Sequence, residues 1–269
     1  MKIQFWKMSG AGNDFVCVDN RRRKLRLNRR QISRLCHRQF GIGADGLLLL
    51  ETASKGADFR MRYYNADGGE AEMCGNGARC FARFAQRLTR FKKKVMILQT
   101  KAGPVTAEFL GRQVRVELTP PQALQLDVPL PTSQGQITVH SVNTGVPHAI
   151  VFVPDAELVA VLELGRELRF HQAFQPKGTN VNFVQRSGTN SLRVRTYERG
   201  VEGETLACGT GVAAAALVAA AVHDLRSPVS LKVQGGDTLK VYFARLGYHF
   251  GSVKLQGPAD FVYEGEMDV

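Results

Sequence analysis

Apolar and polar positions along the chain predict a mixed α and β protein. Alternating or continuous apolar runs at 15–19, 47–51, 59–64, 95–100 and 114–118 predict strands in the first part. Residues 28–38 carry helical spacing with Ile32 and Leu35 inward, and 75–88 predict a second helix. The second part repeats the theme, with strands at 148–153, 181–185, 192–197, 230–233 and 239–243. Its helix, 209–223, is rich in Ala and Val all round, which predicts burial on every side, as in a helix enclosed by strands.

The pattern is doubled. RMRYYNADGGEAEMCGNGARCFARFA, from Arg60, matches RVRTYERGVEGETLACGTGVAAAALVAA, from Arg193, and Cys74 and Cys208 lie 134 residues apart. SGAGNDFVCV at Ser9 and GADGLLL at Gly43 match TGVPHAIVFV at Thr144 and GTNVNFV at Gly178, each at an offset of 135. TKAG and VQGG end at Gly103 and Gly236. Four matches in the same order imply two copies of one domain. The expected division is 1–118 and 119–262, with the tail 263–269 returning to the first half. A seam at 119–136 holds four of the ten prolines, and such a segment cannot continue a helix or a central strand.

Composition narrows the class. The 269 residues are 44% hydrophobic and 22% charged, as in a globular protein. No apolar run reaches the roughly 18 residues of a membrane span, and residues 1–13 lack the apolar core of a signal peptide. A cytoplasmic protein is expected. The net charge is +12, with basic clusters at 21–30 and 87–94. Neither alternates with stacking aromatics nor sits in a nucleic-acid-binding motif, so solvated faces are favoured over a nucleic-acid surface. The five cysteines, odd in number and irregularly spaced, argue against a disulfide framework and a structural zinc site.

Two of these cysteines carry the chemistry. Cys74 and Cys208 each stand before a Gly-x-Gly that opens a helix, where unpaired N–H groups and the helix dipole favour an anion. A thiol there is favoured as thiolate. The N–H groups of Gly75–Asn76 and Gly209–Thr210 can hold a carboxylate. Facing each other across a cleft, two such cysteines suit removal of a proton from one face of a carbon and its return from the other. No PLP lysine motif, nucleotide fingerprint or metal cluster is present, so no cofactor and no metal are expected. Cys80 matches Ala214 and Cys17 matches Phe152, so both read as packing; Cys36 carries no partner signal.

The sequence resembles the diaminopimelate epimerase family from end to end. The motifs are KMSGAGNDFV at Lys7, FGIGADGLLLL at Phe40, YYNADGGEAEMCGNGARC at Tyr63, NTGVPH at Asn143, GTNVNF at Gly178 and YERGVEGETLACGTG at Tyr197. The resemblance implies two pseudo-symmetric α/β domains, each a mostly antiparallel sheet wrapped round a central helix, closing over the substrate. It implies PLP-independent epimerisation of LL- to meso-diaminopimelate, in lysine and peptidoglycan synthesis. Cys74 and Cys208 are the implied catalytic pair, Cys74 as base for the LL-isomer and Cys208 for the meso-isomer. His148 and Glu198 match positions that tune the thiols, with His148 either cationic or hydrogen-bonding. Glu198 and Arg199 match groups gripping the distal amino-acid end of the substrate, and Asn13, Asn65 and Asn180 match substrate-binding amides. Tyr263 matches a dimerisation position, so a homodimer is expected.

Three positions depart from the family pattern: Val146, Gly46, and the loop at Glu202, which is one residue longer. Two rivals stand beside this reading. One is a related cofactor-independent racemase of another amino acid. The other is a non-enzymatic binding module drawn to nucleic acid by the +12 charge.

Overall fold

The computed structural model describes residues 2–54 and 56–269; Met1 and Lys55 lie outside it. The chain divides into two compact units. The first runs to Val116 and takes up again at Gly257–Val269; the second is Glu117–Gln256. The tail thus rejoins the first unit six residues earlier than position 263.

In chain order, the first unit comprises β1 (Lys2–Gly10), β2 (Asn13–Asp19), α1 (Arg29–Cys36), β3 (Gly46–Glu51), β4 (Phe59–Asn65), β5 (Glu70–Ala71), α2 (Gly75–Thr89), β6 (Val95–Thr100), β7 (Gly103–Leu110) and β8 (Gln113–Glu117). The second comprises β9 (Gln122–Thr132), β10 (Gly135–Asn143), β11 (Pro147–Phe152), α3 (Val161–Arg169), a 3-10 turn at Gln172–Phe174, β12 (Asn180–Gly188), β13 (Ser191–Glu198), β14 (Gly203–Thr205), α4 (Gly209–His223), β15 (Val229–Lys232), β16 (Thr238–Leu246) and β17 (His249–Pro258). The last strand, β18 (Asp260–Asp268), pairs antiparallel with β1.

Both units pair their strands in the same order. β1 meets β2 antiparallel, β2 meets β3 parallel, β3 meets β4 antiparallel, and β4 meets β5 antiparallel and β6 parallel. In the second unit, β10, β11, β12, β13, β14 and β15 follow the same sequence of senses. The short helices repeat as well. α1 is closed by a capping box between Asn28 and Gln31 and buries Ile32, Leu35 and Cys36. α3, whose apolar spacing was not picked out in the sequence, buries Val161, Leu164 and Leu168. Its Gly165 allows contact with the sheet, since a Cβ there would stand 2.6 Å from that of Tyr197.

Strands covered on both faces lose the polar–apolar alternation. All six residues of β3 are buried, as are the first five of β12. α2 packs against β1, β2, β3, β4 and β7, and α4 against β9, β10, β11, β12, β13, β15 and β16. Both helices span 15 residues and end on a left-handed residue, Arg90 at φ 53° and Asp224 at φ 55°.

One expectation needs correction. The proline-rich stretch begins just past the boundary between the units, but most of it is an 11-residue strand, β9, rather than a connection. Its ladder is to β10, with Pro129 opposite Thr138 and Pro131 opposite Gln136. Proline lacks an N–H but is tolerated where a strand is not paired on both sides. Among the described residues no helix is long and apolar enough to cross a membrane.

Candidate active site

In the first unit Cys74 is the N-cap of α2. Its backbone is extended, at φ −139° and ψ 124°, and its sulfur accepts from the Gly77 N–H at 3.4 Å. Asn13, at the start of β2, lies beside it. The Cys74 Sγ is 3.7 Å from Asn13 Oδ1, which also accepts from Asn76 Nδ2 at 3.3 Å. The other end of the Asn13 amide donates to Asp45 Oδ2 at 2.6 Å, which fixes which way the amide faces.

Behind Asn13 stands a charged network. Lys7, buried, bridges to Asp14 at 2.7 Å and donates to the Gly43 carbonyl. Arg38 reaches both Asp14, at 3.0 Å, and Asp45, at 2.7 Å. Burial opposes ionisation of Asp14, yet bonds from Arg38 and Lys7 hold its carboxyl below the usual range. Burial, aided by the Asp14 charge, pushes Asp45 up. Asn76 and Gly75 are buried in the first turn of α2, whereas Asn65, ending β4, is exposed.

In the second unit Cys208 is the N-cap of α4, also extended, at φ −107° and ψ 108°. It is buried, and its sulfur lies 3.6 Å from Thr210 Oγ1. Gly209 and Thr210 open the helix, and the Thr210 carbonyl accepts from Thr144 Oγ1 at 2.9 Å. His148, on β11, is fully buried. Burial, with the Arg199 charge adding to it, pushes its imidazole down to about 3. Of the two modes expected for this histidine, burial disfavours the cationic one. Asn180 donates from Nδ2 to the Pro147 carbonyl at 3.0 Å and accepts at Oδ1 from the Arg199 N–H at 2.9 Å. Glu198 accepts from Thr205 Oγ1 at 2.9 Å, and Arg199 donates to the Lys177 carbonyl at 3.2 Å.

Cys74, Gly75, Asn76 and Asn13 thus form one cluster. Asn65 shares that unit at the exposed end of β4, and Tyr263, on β18, sits edge-on to Phe5 and donates to the Ile42 carbonyl at 3.1 Å. In the second unit His148, Asn180 and Arg199 are linked through the ends of β11, β12 and β13. Sequence inspection missed the groups holding these residues: Lys7, Asp14, Arg38 and Asp45 in one unit, Asn182 and Thr196 in the other. Asn182 had a signal, as a second amide inside the apolar run VNFV. The remaining cysteines are packing. Burial raises Cys17 well above the ordinary thiol range and takes Cys36 and Cys80 to about 12.

A family model described as diaminopimelate epimerase matches residues 5–124 and 140–253. The diaminopimelate epimerase of Aquifex aeolicus (strain VF5) is 43% identical over 277 residues, covering 98% of each chain. That of Chlorobaculum tepidum is 44% identical over 264 residues, covering 97% of this chain and 99% of the relative. The chain belongs to the diaminopimelate epimerase family. Its fold is also that of more distant solved structures. A PhzF-family phenazine biosynthesis protein from Bacillus anthracis aligns over 100% of both chains, at TM-score 0.78 and 16% identity. A hydroxyproline epimerase from Agrobacterium vitis aligns over 98% of this chain and 92% of its own, at TM-score 0.76 and 17% identity.

Two of the positions expected to depart from the diaminopimelate epimerase pattern, Gly46 and Glu202, are closely held. At Gly46 a Cβ would stand 2.5 Å from the Tyr64 carbonyl oxygen and 2.7 Å from the Tyr63 ring, so no side chain fits. Glu202 takes a left-handed conformation, φ 55°, and is held by Arg169 at 3.0 Å and by the Gly200 N–H at 3.0 Å. The loop at Glu202 is therefore tied down at its turn.

Proposed function

We propose that the protein interconverts LL- and meso-diaminopimelate with Cys74 and Cys208 as the acid–base pair, a step of lysine and peptidoglycan synthesis. Membership of the family and full-length relatives that are 43% and 44% identical support the reaction. One observation carries the mechanism: each unit presents a cysteine as the N-cap of a 15-residue helix with a glycine-rich first turn.

In this reading the two pseudo-symmetric units close over the substrate and bring one sulfur to each face of its α-carbon. One cysteine, as thiolate, takes the α-proton and becomes a thiol. The other, as thiol, gives its proton to the opposite face and becomes the thiolate. The proton count is unchanged and the configuration is inverted. The N–H groups of the two helix starts, including Gly75–Asn76 and Gly209–Thr210, hold the α-carboxylate and stabilise the negative charge that spreads onto it. His148 and Glu198 tune the thiols, and Asn13, beside Cys74, binds substrate. Asn65, Asn180, Glu198 and Arg199 hold the distal amino-acid group, where a guanidinium can grip a carboxylate with two bonds. Tyr263 is exposed on β18, and a homodimer through that strand belongs to the same proposal.

The test is α-proton exchange followed by NMR. The reduced protein is incubated in D₂O with LL-diaminopimelate, and separately with proline, glutamate and histidine, without PLP. Exchange with inversion confined to diaminopimelate is the expected result. Exchange confined to another amino acid would keep the two-thiol chemistry and move the specificity. No exchange on any of them, with both thiols reduced, would overturn the assignment.

A further inference from the structure

His148 is held by a relay of uncharged side chains. The Asn182 Nδ2 donates to the Ala149 carbonyl, which can only accept, at 3.1 Å. Its Oδ1 accepts from Thr196 Oγ1 at 2.9 Å. Turning the amide over would lose the first bond and set two oxygens against each other, so its orientation is fixed. The second Nδ2 proton meets His148 Nδ1 at 3.2 Å. A ring nitrogen that receives a proton there carries none of its own, so the neutral ring keeps its proton on Nε2.

Two further observations bear on this relay. His148 Nε2 is buried and has no hydrogen-bond partner among the described residues. An orphaned buried donor is costly and uncommon in folded proteins, and points to an acceptor supplied during function. The start of α4 also presses on the same amide. A Cβ at Gly211 would stand 2.3 Å from Asn182 Oδ1 and 3.4 Å from the Cys208 Cβ. The helix that carries Cys208 and the side chain that orients His148 therefore share one contact.

We propose that Asn182, backed by Thr196 and seated against Gly211, is a positioning residue that locks His148 as the Nε2–H tautomer, so that the histidine serves as a neutral hydrogen-bond donor to a catalytic thiolate. The proposal rests on the reading of His148 as a group that acts on the thiols. A neutral donor stabilises a thiolate without giving up its proton. It also leaves the α-proton to the cysteines, because Nδ1 is occupied and Nε2 cannot accept. Asn182 itself touches no reacting atom.

The experiment is ¹⁵N NMR of the imidazoles in the full-length protein, with His148 assigned by difference from His148→Gln. Wild type is expected to show a protonated Nε2 and an unprotonated Nδ1 across the neutral range. Asn182→Asp offers Nδ1 an acceptor in place of a donor and should move the proton to Nδ1. Three readouts accompany it. The pH midpoint of thiol alkylation should rise, kcat should fall at least about tenfold, and KM should stay nearly constant. A wrong tautomer can cost up to about 10⁴-fold where the imidazole is itself the base. Thr196→Val, which removes one support of the amide, should move every readout the same way and less, and serves if Asn182→Asp does not fold. A wild-type ring protonated on Nδ1, or charged at neutral pH, overturns the proposal. So does a tautomer that survives both substitutions. A tautomer that shifts while thiol titration and kcat stay put refutes the role given to His148 and leaves the lock itself standing, so the two failures are distinguishable.

Discussion

The two units build the same motif from opposite electrostatics. Around Cys74 the supporting side chain is Asn13, anchored to the Lys7, Asp14, Arg38 and Asp45 charges. On β11 of the second unit the corresponding position is His148, whose Nδ1 meets the amide of Asn182, itself backed by the hydroxyl of Thr196. The helices differ in the same way. α2 buries Arg79, Phe81 and Phe84, and Arg79 donates to the Pro258 carbonyl at 3.2 Å. α4 buries alanines and valines in the corresponding turns. A duplicated scaffold thus keeps strand order and helix caps while its polar support diverges. Backbone pairing fixes the first two, whereas the support needs only to be satisfied internally.

The largest expected effect tests where the units should be equal. Cys74→Ser and Cys208→Ser should each lower epimerisation by about 10²- to 10⁴-fold, the usual range for a lost acid or base. A single variant that keeps wild-type turnover would break the equivalence of the two cysteines. The next test sets charge against neutrality. Asp14→Asn leaves Lys7 buried without its counter-ion and should cost about 3 kcal/mol or more in denaturant unfolding.

The pH dependence separates the units further. His148 binds its proton at about 3 when folded, against 6.5 for an ordinary histidine, so the unfolded chain protonates first. Its contribution to stability is whole above pH 6.5 and is lost as pH falls from there toward 3. Asp14, lowered from 3.8, keeps its contribution above that value and loses it as pH falls through its lowered pKa. Thermal melts from pH 7 down to pH 4 should therefore fall less steeply in His148→Gln than in wild type. An unchanged slope would show that His148 is not held neutral.

The smallest effect compares the helix starts. Gly211→Ala meets Asn182 at 2.3 Å and should cost about 1–3 kcal/mol through overpacking. Gly77→Ala meets only ordinary contacts at 3.4 Å and should be nearly neutral, with a helix-propensity gain of up to about 1 kcal/mol. Equal costs in chemical denaturation would mean that the amide behind Cys208 does not press on its helix.

Much of this arrangement was legible in the chain itself. The repeat at Cys74 and Cys208 marked both helix starts, and 209–223 read as a fully buried helix because its residues are apolar all round. Other features left a weaker trace. α3 carries apolar residues at Val161, Leu164 and Leu168, but over nine residues that spacing competes with a loop. β9 was hidden by its prolines, which exclude a doubly paired strand but permit one whose ladder lies on one side.

Local sequence determined the helix caps, the strand periodicity, the duplicated cysteine–glycine turns and the family, because each is written in residues close together along the chain. Tertiary structure decided the partners. Lys7 finds Asp14 across the antiparallel β1–β2 pair, and Asn182 finds His148 across the parallel β11–β12 pair and Thr196 across the antiparallel β12–β13 pair. It also decided that His148 is neutral, since the free-energy cost of a buried charge depends on what surrounds it and not on the residues beside it in sequence.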